Sequence, residues 1–381
     1  MSPAPLAAPL ALAVVKLTLT RFRNYPSARL NLDGRPVALI GPNGAGKTNL
    51  LEALSFLVPG RGLRNARLAD AQRLGDDAGG WAVAAVVRTP SGVVELGVGV
   101  DGPPQPGERE RRLVRIDGEP ARSQTALTQY LAAVWLTPQM DRLFIDGAGV
   151  RRRYIDRLAF GLDAAHAGRI SRYDNAMRER ARLLRDGVKA PDWLEALERQ
   201  MAADGVAVAA ARSDAVRRLT AAAGRGVGPV PAAALTMTGW IDERVAEGPA
   251  LSAEDAFRQE LFRTRNYEGA TPGPHRSDLA AHHLTKDIPA ELCSTGEQKA
   301  LLIAITLANA RLLTAERGGA PLLLLDEVAA HLDAERREAL FAEVLGLGAQ
   351  AWMTGADAAF FAPLGDGAER FAVMDGRIEA L

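Results

Sequence analysis

A glycine-rich segment at residues 41–48 constrains the fold of this chain more than any other feature. It reads Gly-Pro-Asn-Gly-Ala-Gly-Lys-Thr and fills the pattern G-x-x-x-x-G-K-[ST] at every fixed position. Glycines let the backbone curl around a phosphate with its N–H groups pointing inward, and the lysine reaches the β- and γ-phosphates. The pattern therefore predicts an ATP site whose phosphate contacts come from six residues: Asn43, Gly44, Ala45, Gly46, Lys47 and Thr48.

The sequence around this segment supports the same interpretation. Residues 37–40 are a short apolar run typical of a buried strand, and residues 49–57 have the composition of a helix. A strand, a glycine-rich loop and a helix N-terminus together form an anion site. Thr48 is then expected to ligate the Mg²⁺ that accompanies ATP. The alternative is a glycine-rich turn that merely joins two elements.

Two acids follow a second apolar run. Residues 321–325 read Pro-Leu-Leu-Leu-Leu and are followed by Asp326 and Glu327. This pattern is typical of a central parallel strand that delivers carboxylates to the edge of the sheet where ligands bind. We expect Asp326 to hold Mg²⁺ through water and Glu327 to orient or deprotonate the attacking water. In isolation, the same run is also a buried strand with a solvated acidic end.

Composition excludes several classes of protein. The net charge is zero, so any contact with nucleic acid must come from local patches rather than from a global field. The single cysteine, Cys293, rules out an internal disulfide. No run reaches the roughly 18 apolar residues that a membrane span needs. Residues 1–13 lack the basic start of a secretory signal and are expected to be a disordered leader. The sequence predicts a cytoplasmic protein without a membrane partner.

The middle of the chain is predicted to be helical, from about residue 148 to 224. Apolar residues recur there mostly every three or four positions, from Trp193 to Leu219, and Asp186-Gly187 separates two long helices. Ser252 and Asp255 predict a further helix start. The expected domains are the N-terminal lobe of a nucleotide-binding head over 14–142, a helical arm over 143–265 and the C-terminal lobe over 266–381.

Three further segments resemble parts of the ABC ATPase family. Residues 293–299, Cys-Ser-Thr-Gly-Glu-Gln-Lys, resemble its signature, and Ser294 with Glu297 also forms a capping-box pattern. Residues 329–333 look like its D-loop, and Gln139 stands where such heads carry the Q-loop. The resemblance implies that Gln139 serves the metal and catalysis. It also implies that Ser294, Gly296, Gln298 and Asp333 contact ATP held between two copies of the chain, and hence a homodimer.

Residues 22–25, 151–156 and 273–278 narrow the resemblance to the RecF family of bacterial recombination proteins. The implied fold is α/β: an ABC-type P-loop ATPase head, with a mixed central sheet and flanking helices, carrying an inserted α-helical arm. The resemblance implies that Arg23 and Asn24 belong to the nucleotide site. It further implies ATP-gated binding to double-stranded and gapped DNA, with RecO and RecR as partners and RecA loading as the result. Thr354, at the position of the transporters' switch histidine, suggests slow hydrolysis.

DNA contacts are predicted from arginine clusters, because the chain has few lysines. Arg61, Arg64 and Arg67 follow the P-loop helix closely and are the first choice for phosphate contacts. The alternative for them is an ordinary solvated surface. Two other functions share part of the pattern: the nucleotide-binding subunit of an ABC transporter, and a P-loop kinase acting on a small molecule.

Overall fold

A computed structural model describes residues 12–75, 79–102, 111–187, 190–224, 226, 230–266 and 271–381. Of the leader expected over residues 1–13, residues 1–11 lie outside the described residues. The first strand already begins at Ala13, so the expected leader was too long.

The described residues form fifteen β-strands in three sheets. The strands are β1 Ala13–Phe22, β2 Tyr25–Asn31, β3 Val37–Ile40, β4 Trp81–Thr89, β5 Gly92–Val100, β6 Leu113–Ile116, β7 Glu119–Pro120, β8 Ala133–Leu136, β9 Ala233–Thr238, β10 Asp278–His283, β11 Ile288–Pro289, β12 Leu322–Leu325, β13 Ala351–Gly355, β14 Glu369–Met374 and β15 Arg377–Ala380.

The same residues form eight α-helices and several short 3₁₀ helices. The α-helices are α1 Lys47–Ser55, α2 Ala148–Leu162, α3 His166–Arg185, α4 Pro191–Ala223, α5 Trp240–Glu247, α6 Ala250–Arg263, α7 Thr295–Arg317 and α8 Ala334–Gly346. The 3₁₀ helices are Ala69–Ala71, Gln124–Gln129, Pro138–Arg142, Thr264–Asn266, Ala290–Leu292, Val328–His331 and Ala358–Gly367. No helix of the described residues is long and apolar enough to cross a bilayer.

The chain divides into two compact units. The first, here called the sheet unit, comprises Met1–Met140, Val227–Val230 and Leu302–Leu381. The second, the helical unit, comprises Asp141–Gly226 and Pro231–Leu301. The helical unit thus continues past residue 265, where the arm was expected to end, and includes the signature-like segment.

The sheet unit contains two six-stranded sheets. The antiparallel sheet has the order β2-β1-β4-β5-β6-β7, and its strands β4 and β5 form a hairpin in which Thr89 lies opposite Gly92. The mixed sheet has the order β15-β14-β3-β13-β12-β8, with β15 antiparallel to its neighbour and the others parallel. Every residue of β3 and β12 is buried, as expected for central parallel strands covered on both faces. The P-loop and the two acids therefore follow strands separated only by β13.

The helical unit differs from the expected arm in three ways. The region 148–185 is two helices rather than one, because the Asp163 carboxylate accepts a hydrogen bond from the Ala165 N–H and stabilises a local turn between them. The Ser252 helix start is wrong: α6 begins at Ala250 after the extended residue Pro249. The unit also contains a separate three-stranded sheet, β11-β10-β9, so it is not purely helical.

The helical unit has a core of its own. Tyr173 of α3, Met201 and Val206 of α4, and Phe257 of α6 are buried together. Trp193, predicted to begin the apolar stripe of α4, is 49% exposed and lies outside this core. The stripe holds best from Met201 onwards, where α4 packs against α3 and α6.

Candidate nucleotide site

The P-loop adopts a conformation that requires its glycines. Gly44 and Gly46 have φ angles of +84° and +110°, in the left-handed region that other residues rarely adopt. A Cβ at Gly41 would lie 2.1 Å from the carbonyl oxygen of Val373, so only glycine fits between β3 and β14. The loop ends at Lys47, the first residue of α1, which places the free N–H groups of that helix at the loop.

Lys47 is held inside this loop. Its side chain is nearly buried, and its Nζ donates to the carbonyl oxygens of Gly41 at 2.7 Å and Pro42 at 2.9 Å. Burial lowers the pKa of Lys47, while the nearby charges of Glu327 and Asp326 oppose that shift. The ammonium is bonded to neutral oxygens rather than to a carboxylate, so it fits an incoming phosphate.

Asn24 and Tyr25 stabilise the loop by hydrogen bonds to its backbone carbonyl groups. Asn24 Nδ2 donates to the carbonyl oxygen of Ala45 at 3.1 Å, and Asn24 Oδ1 accepts from Asn49 Nδ2 at 2.7 Å. The Tyr25 hydroxyl donates to the carbonyl oxygen of Gly46 at 3.1 Å. Both polar atoms of Asn24 thus bind protein groups, which supports a bracing role. Direct contact of Asn24 with a nucleotide stays a prediction.

A fully buried carboxylate joins two arginines to the P-loop helix. Glu52 of α1 has no exposed surface. Its Oε1 is 2.6 Å from Arg23 Nη2, and its Oε2 is 2.7 Å from Arg64 Nη1. Arg64 Nη1 also donates to Asn49 Oδ1 at 2.8 Å. Arg23 and Arg64, predicted respectively for nucleotide and for DNA, therefore both support α1.

The remaining two arginines of the predicted DNA cluster, Arg61 and Arg67, are exposed. The backbone N–H of Arg67 donates to Asp70 Oδ2 at 3.2 Å, which fixes the loop and leaves the side chain outside. Contact of this cluster with DNA stays a prediction, and Arg64 is its least available member because Glu52 offsets its charge.

Asp326 lies directly opposite Thr48. Thr48 Oγ1 donates to Asp326 Oδ1 at 2.8 Å and lies 3.1 Å from Asp326 Oδ2. Burial raises the pKa of Asp326, while hydrogen bonds from Thr354 and Thr48 lower it. A hydroxyl and a carboxylate at this distance fit Mg²⁺, which takes few oxygen ligands from the protein and the rest from phosphate and water. In the described residues, no three His, Cys, Asp or Glu side chains form a metal cage.

Glu327 stands in an unusual backbone conformation. Its φ is +51°, a left-handed value for a residue with a Cβ, and its N–H donates to Thr354 Oγ1 at 2.8 Å. The residue precedes the 3₁₀ helix Val328–His331 and is half-buried. This turn sends the Glu327 side chain out of the line of β12, beside the P-loop lysine whose pKa it affects.

Gln139 reaches the same edge of the sheet. It follows β8, whose Leu136 is paired with Leu325, and the Asp326 N–H donates to the carbonyl oxygen of Leu136 at 2.9 Å. Gln139 is exposed within the 3₁₀ helix Pro138–Arg142. Asp333 is also exposed and caps α8, with its Oδ1 accepting from the Arg336 N–H at 2.8 Å. The roles of both side chains toward nucleotide stay predictions.

The signature-like segment belongs to the helical unit, and its predicted capping box is confirmed. The Ser294 N–H donates to Glu297 Oε2 at 2.9 Å, and the Glu297 N–H donates to Ser294 Oγ at 3.4 Å. Lys286 forms an ion pair with Glu297. The Lys286 ammonium and the Ser294 donors lower the pKa of Glu297 to about 2. Ser294 and Gly296 are exposed at the start of α7.

Gln298 points inward instead. It is buried, and its Nε2 donates to the carbonyl oxygen of Cys293 at 3.1 Å. Of the three residues predicted to contact ATP in this segment, Ser294 and Gly296 are therefore exposed, while Gln298 is bonded within the turn.

Sequence reasoning missed the buried Glu52 and the role of the Thr354 hydroxyl. Glu52 could not be recognised as buried from sequence, because the helical spacing of apolar residues in α1 does not distinguish a buried acid from a solvated one. Thr354 was singled out only for its position at the transporters' switch histidine. Its partners Asp326 and Glu327 follow a different strand, β12, and Asp326 lies 28 residues earlier. Only the sheet order brings them together.

Comparisons with known proteins identify the relatives of this chain. A family model described as "AAA domain, putative AbiEii toxin, Type IV TA system" matches residues 37–85, which include the P-loop. A relative from Mesorhizobium japonicum named "DNA replication and repair protein RecF" is 48% identical over 96% of this chain and 97% of its own. A second, from Rhizobium etli and with the same name, is 46% identical over 97% of this chain and 99% of its own.

A solved structure described as "the recombination mediator protein RecF-ATPrS in RecFOR pathway" superposes with a TM-score of 0.83. It is 20% identical and the match covers 99% of this chain and 100% of that one. At this identity the superposition establishes the fold alone, which is the predicted ATPase head with an inserted helical unit.

Proposed function

The chain belongs to the RecF family of DNA replication and repair proteins, and we propose that it is an ATP-gated DNA-binding protein that acts as a recombination mediator. The observation that carries the proposal is the 2.8 Å bond between Thr48 of the P-loop helix and Asp326 after β12. It joins the phosphate-binding and metal-binding halves of one site across the sheet.

In this proposal the P-loop N–H groups and Lys47 bind the phosphates of ATP. Thr48 and Asp326 hold Mg²⁺, with Gln139 as a further ligand from the same edge. The ion neutralises charge that develops on the transferred phosphoryl group. Glu327 accepts a proton from the attacking water. Because burial weakens the charged form of Asp326, a cation at Thr48 gives this carboxylate a partner that stabilises it.

The second half of the site comes from another copy of the chain. Ser294 and Gly296 are exposed at the N-terminus of α7, where free N–H groups favour an anion. By its resemblance to ABC heads, this segment contacts the γ-phosphate held by the partner copy, with Asp333 nearby. ATP therefore closes a homodimer, and slow, DNA-stimulated hydrolysis opens it.

DNA is the proposed macromolecular ligand of the closed dimer. Exposed Arg61 and Arg67 supply salt-sensitive phosphate contacts without reading bases. The protein whose structure superposes on this chain is a recombination mediator of the RecFOR pathway. By family membership we infer the same context here: a cytoplasmic protein that binds duplex and gapped DNA and, with RecO and RecR, promotes loading of RecA.

Lys47→Arg tests this function. We expect the wild type with ATP to be retained on gapped duplex, with an affinity that falls steeply as salt rises. We expect Lys47→Arg to lose that retention, because the larger guanidinium does not fit between the carbonyl groups of Gly41 and Pro42. The readout is filter binding over a salt series, and Lys16→Arg, on the half-buried face of β1, is the matched control. Retention of wild type that is equal with and without ATP contradicts the proposal.

A further inference from the structure

The end of strand β13 touches both halves of the nucleotide site. β13 lies between β3, which leads into the P-loop, and β12, which leads into the acids. The Gly355 carbonyl oxygen accepts a hydrogen bond of 3.2 Å from the N–H of Gly41, the first residue of the P-loop. A Cβ at Gly355 would lie 2.7 Å from the Phe361 ring, so the strand end is fixed by close packing.

The preceding residue, Thr354, is bonded to both acids. Its side chain is only 1% exposed. Thr354 Oγ1 donates to Asp326 Oδ1 at 2.8 Å and accepts from the Glu327 N–H at 2.8 Å. A hydroxyl has one proton, and an N–H can only donate, so these two bonds fix the direction of both. One buried oxygen thus orders two consecutive acids.

This arrangement explains how Glu327 keeps its left-handed backbone. A φ of +51° is sparsely populated for a glutamate and persists where the surroundings fix it. The acceptor that Thr354 offers to the Glu327 N–H is such a constraint, since a buried N–H without a partner is costly. The direction in which the Glu327 carboxylate leaves the sheet therefore depends on the Thr354 hydroxyl.

We propose that Thr354 is a positioning residue for ATP hydrolysis, acting through Asp326 and Glu327 rather than by touching the nucleotide. Its hydroxyl proton is already directed at Asp326, and its oxygen at the Glu327 N–H. If Thr48 bound a cation, the Asp326 carboxylate would keep the hydrogen bond from Thr354. The inference rests on the proposed ATPase function. Within it, Thr354 is the residue that orients the carboxylate of Glu327.

Thr354→Val and Thr354→Ser separate positioning from packing. Valine keeps the shape and removes the hydroxyl, whereas serine keeps the hydroxyl. We expect Thr354→Val to lower kcat about tenfold with KM for ATP changed less than about twofold, and Thr354→Ser to restore most of the turnover. Thr306→Val, which removes a buried hydroxyl bonded to the Leu302 carbonyl oxygen on α7, is the matched control.

A second readout does not depend on hydrolysis. Without nucleotide, hydrogen exchange at the Glu327 N–H is expected to be faster in Thr354→Val than in wild type, and unchanged in Thr354→Ser and Thr306→Val. A Thr354→Val protein with wild-type kcat and wild-type exchange overturns the inference. A KM that rises as much as kcat falls also overturns it, because that result indicates nucleotide contact. Wild type that never hydrolyses ATP overturns the proposed function instead, while the exchange experiment still decides whether the hydroxyl holds the turn.

Discussion

Glu327 illustrates how neighbouring residues fix the backbone geometry of a proposed catalytic residue. The strand β12 ends at Leu325, Asp326 stays buried, and the backbone then turns at a φ of +51° so that Glu327 reaches the half-buried edge. The negative charge of Glu327 acts to raise the pKa of Lys47, against the lowering by burial. The two acids thus differ in burial although they are adjacent in sequence.

At this scale we predict that Glu327→Gln binds ATP and dimerises but hydrolyses slowly. The amide keeps the size of the side chain and removes the carboxylate that accepts the proton, so kcat is expected to fall by about 10² or more. Phosphate release under single-turnover conditions measures it. Glu335→Gln, an exposed acid at the start of α8, is the control. Normal turnover in Glu327→Gln removes this residue from the mechanism.

Single residues were predictable where a motif fixes chemistry locally. Thr48 and Asp326 were both expected to serve one metal, and the structure places their side chains 2.8 Å apart. Arg64 was expected to face DNA, yet it also pairs with Glu52, because an acid buried in α1 needs a cationic partner. No property of the arginine itself distinguishes the two environments.

Among the elements, the segment 273–278 is bonded to three helices of the helical unit. Its contacts are Tyr173 OH to His275 Nδ1 at 2.7 Å, Arg212 Nη1 to the Pro274 carbonyl oxygen at 2.6 Å, Arg152 Nη1 to the Ser277 carbonyl oxygen at 2.7 Å, and Arg151 to both Asp278 oxygens at 2.7 Å. These bonds connect α2, α3 and α4 to the start of β10. The segment therefore acts as a structural junction.

His275 makes this junction sensitive to pH. Burial, together with the charges of Arg276 and Arg152, lowers the pKa of His275 to about 4. In the unfolded chain a histidine has a pKa of about 6.5, so as pH falls the unfolded chain binds the proton before the folded one does. The stability contributed by neutral His275 is therefore lost as pH falls from about 6.5 to about 4.

We therefore expect the stability of the wild type relative to His275→Gln to fall by at most about 2 kcal/mol between pH 7 and pH 5. Glutamine keeps a partner for the Tyr173 hydroxyl without titrating, and other ionisable groups are common to both proteins. Urea unfolding followed by hydrogen exchange in α3 and α4 measures the difference. An identical pH response in both proteins contradicts the lowered pKa.

Elements with local signals were predicted well, and those set by distant partners were not. The Ser294–Glu297 capping box is a four-residue pattern and was confirmed. The break between α2 and α3 lacks proline and was missed. The pairing of β9 with β10 in a separate sheet depends on residues about 40 to 50 positions apart, which no local pattern reports.

For the whole molecule, the P-loop and the acids were sufficient to predict a nucleotide-binding α/β fold, and the family resemblance extended this to the full chain. The structure agrees in its mixed sheet and inserted helices, and nearly full-length relatives share the family. The helical unit is larger than predicted because residues 266–301 belong to it. The signature-like segment thus lies in the unit that the helices build, while the P-loop lies in the other.

The central claim is that ATP closes a homodimer of this chain, and light scattering with and without ATP and gapped duplex tests it most directly. The test variant is Ser294→Arg, which introduces bulk and charge at the exposed start of α7. The control is Lys286→Arg, an exposed change that keeps the charge. We predict that wild type and Lys286→Arg double their mass with ATP, more completely with DNA, and that Ser294→Arg stays monomeric while still binding ATP. A wild type that stays monomeric with ATP and DNA contradicts the claim.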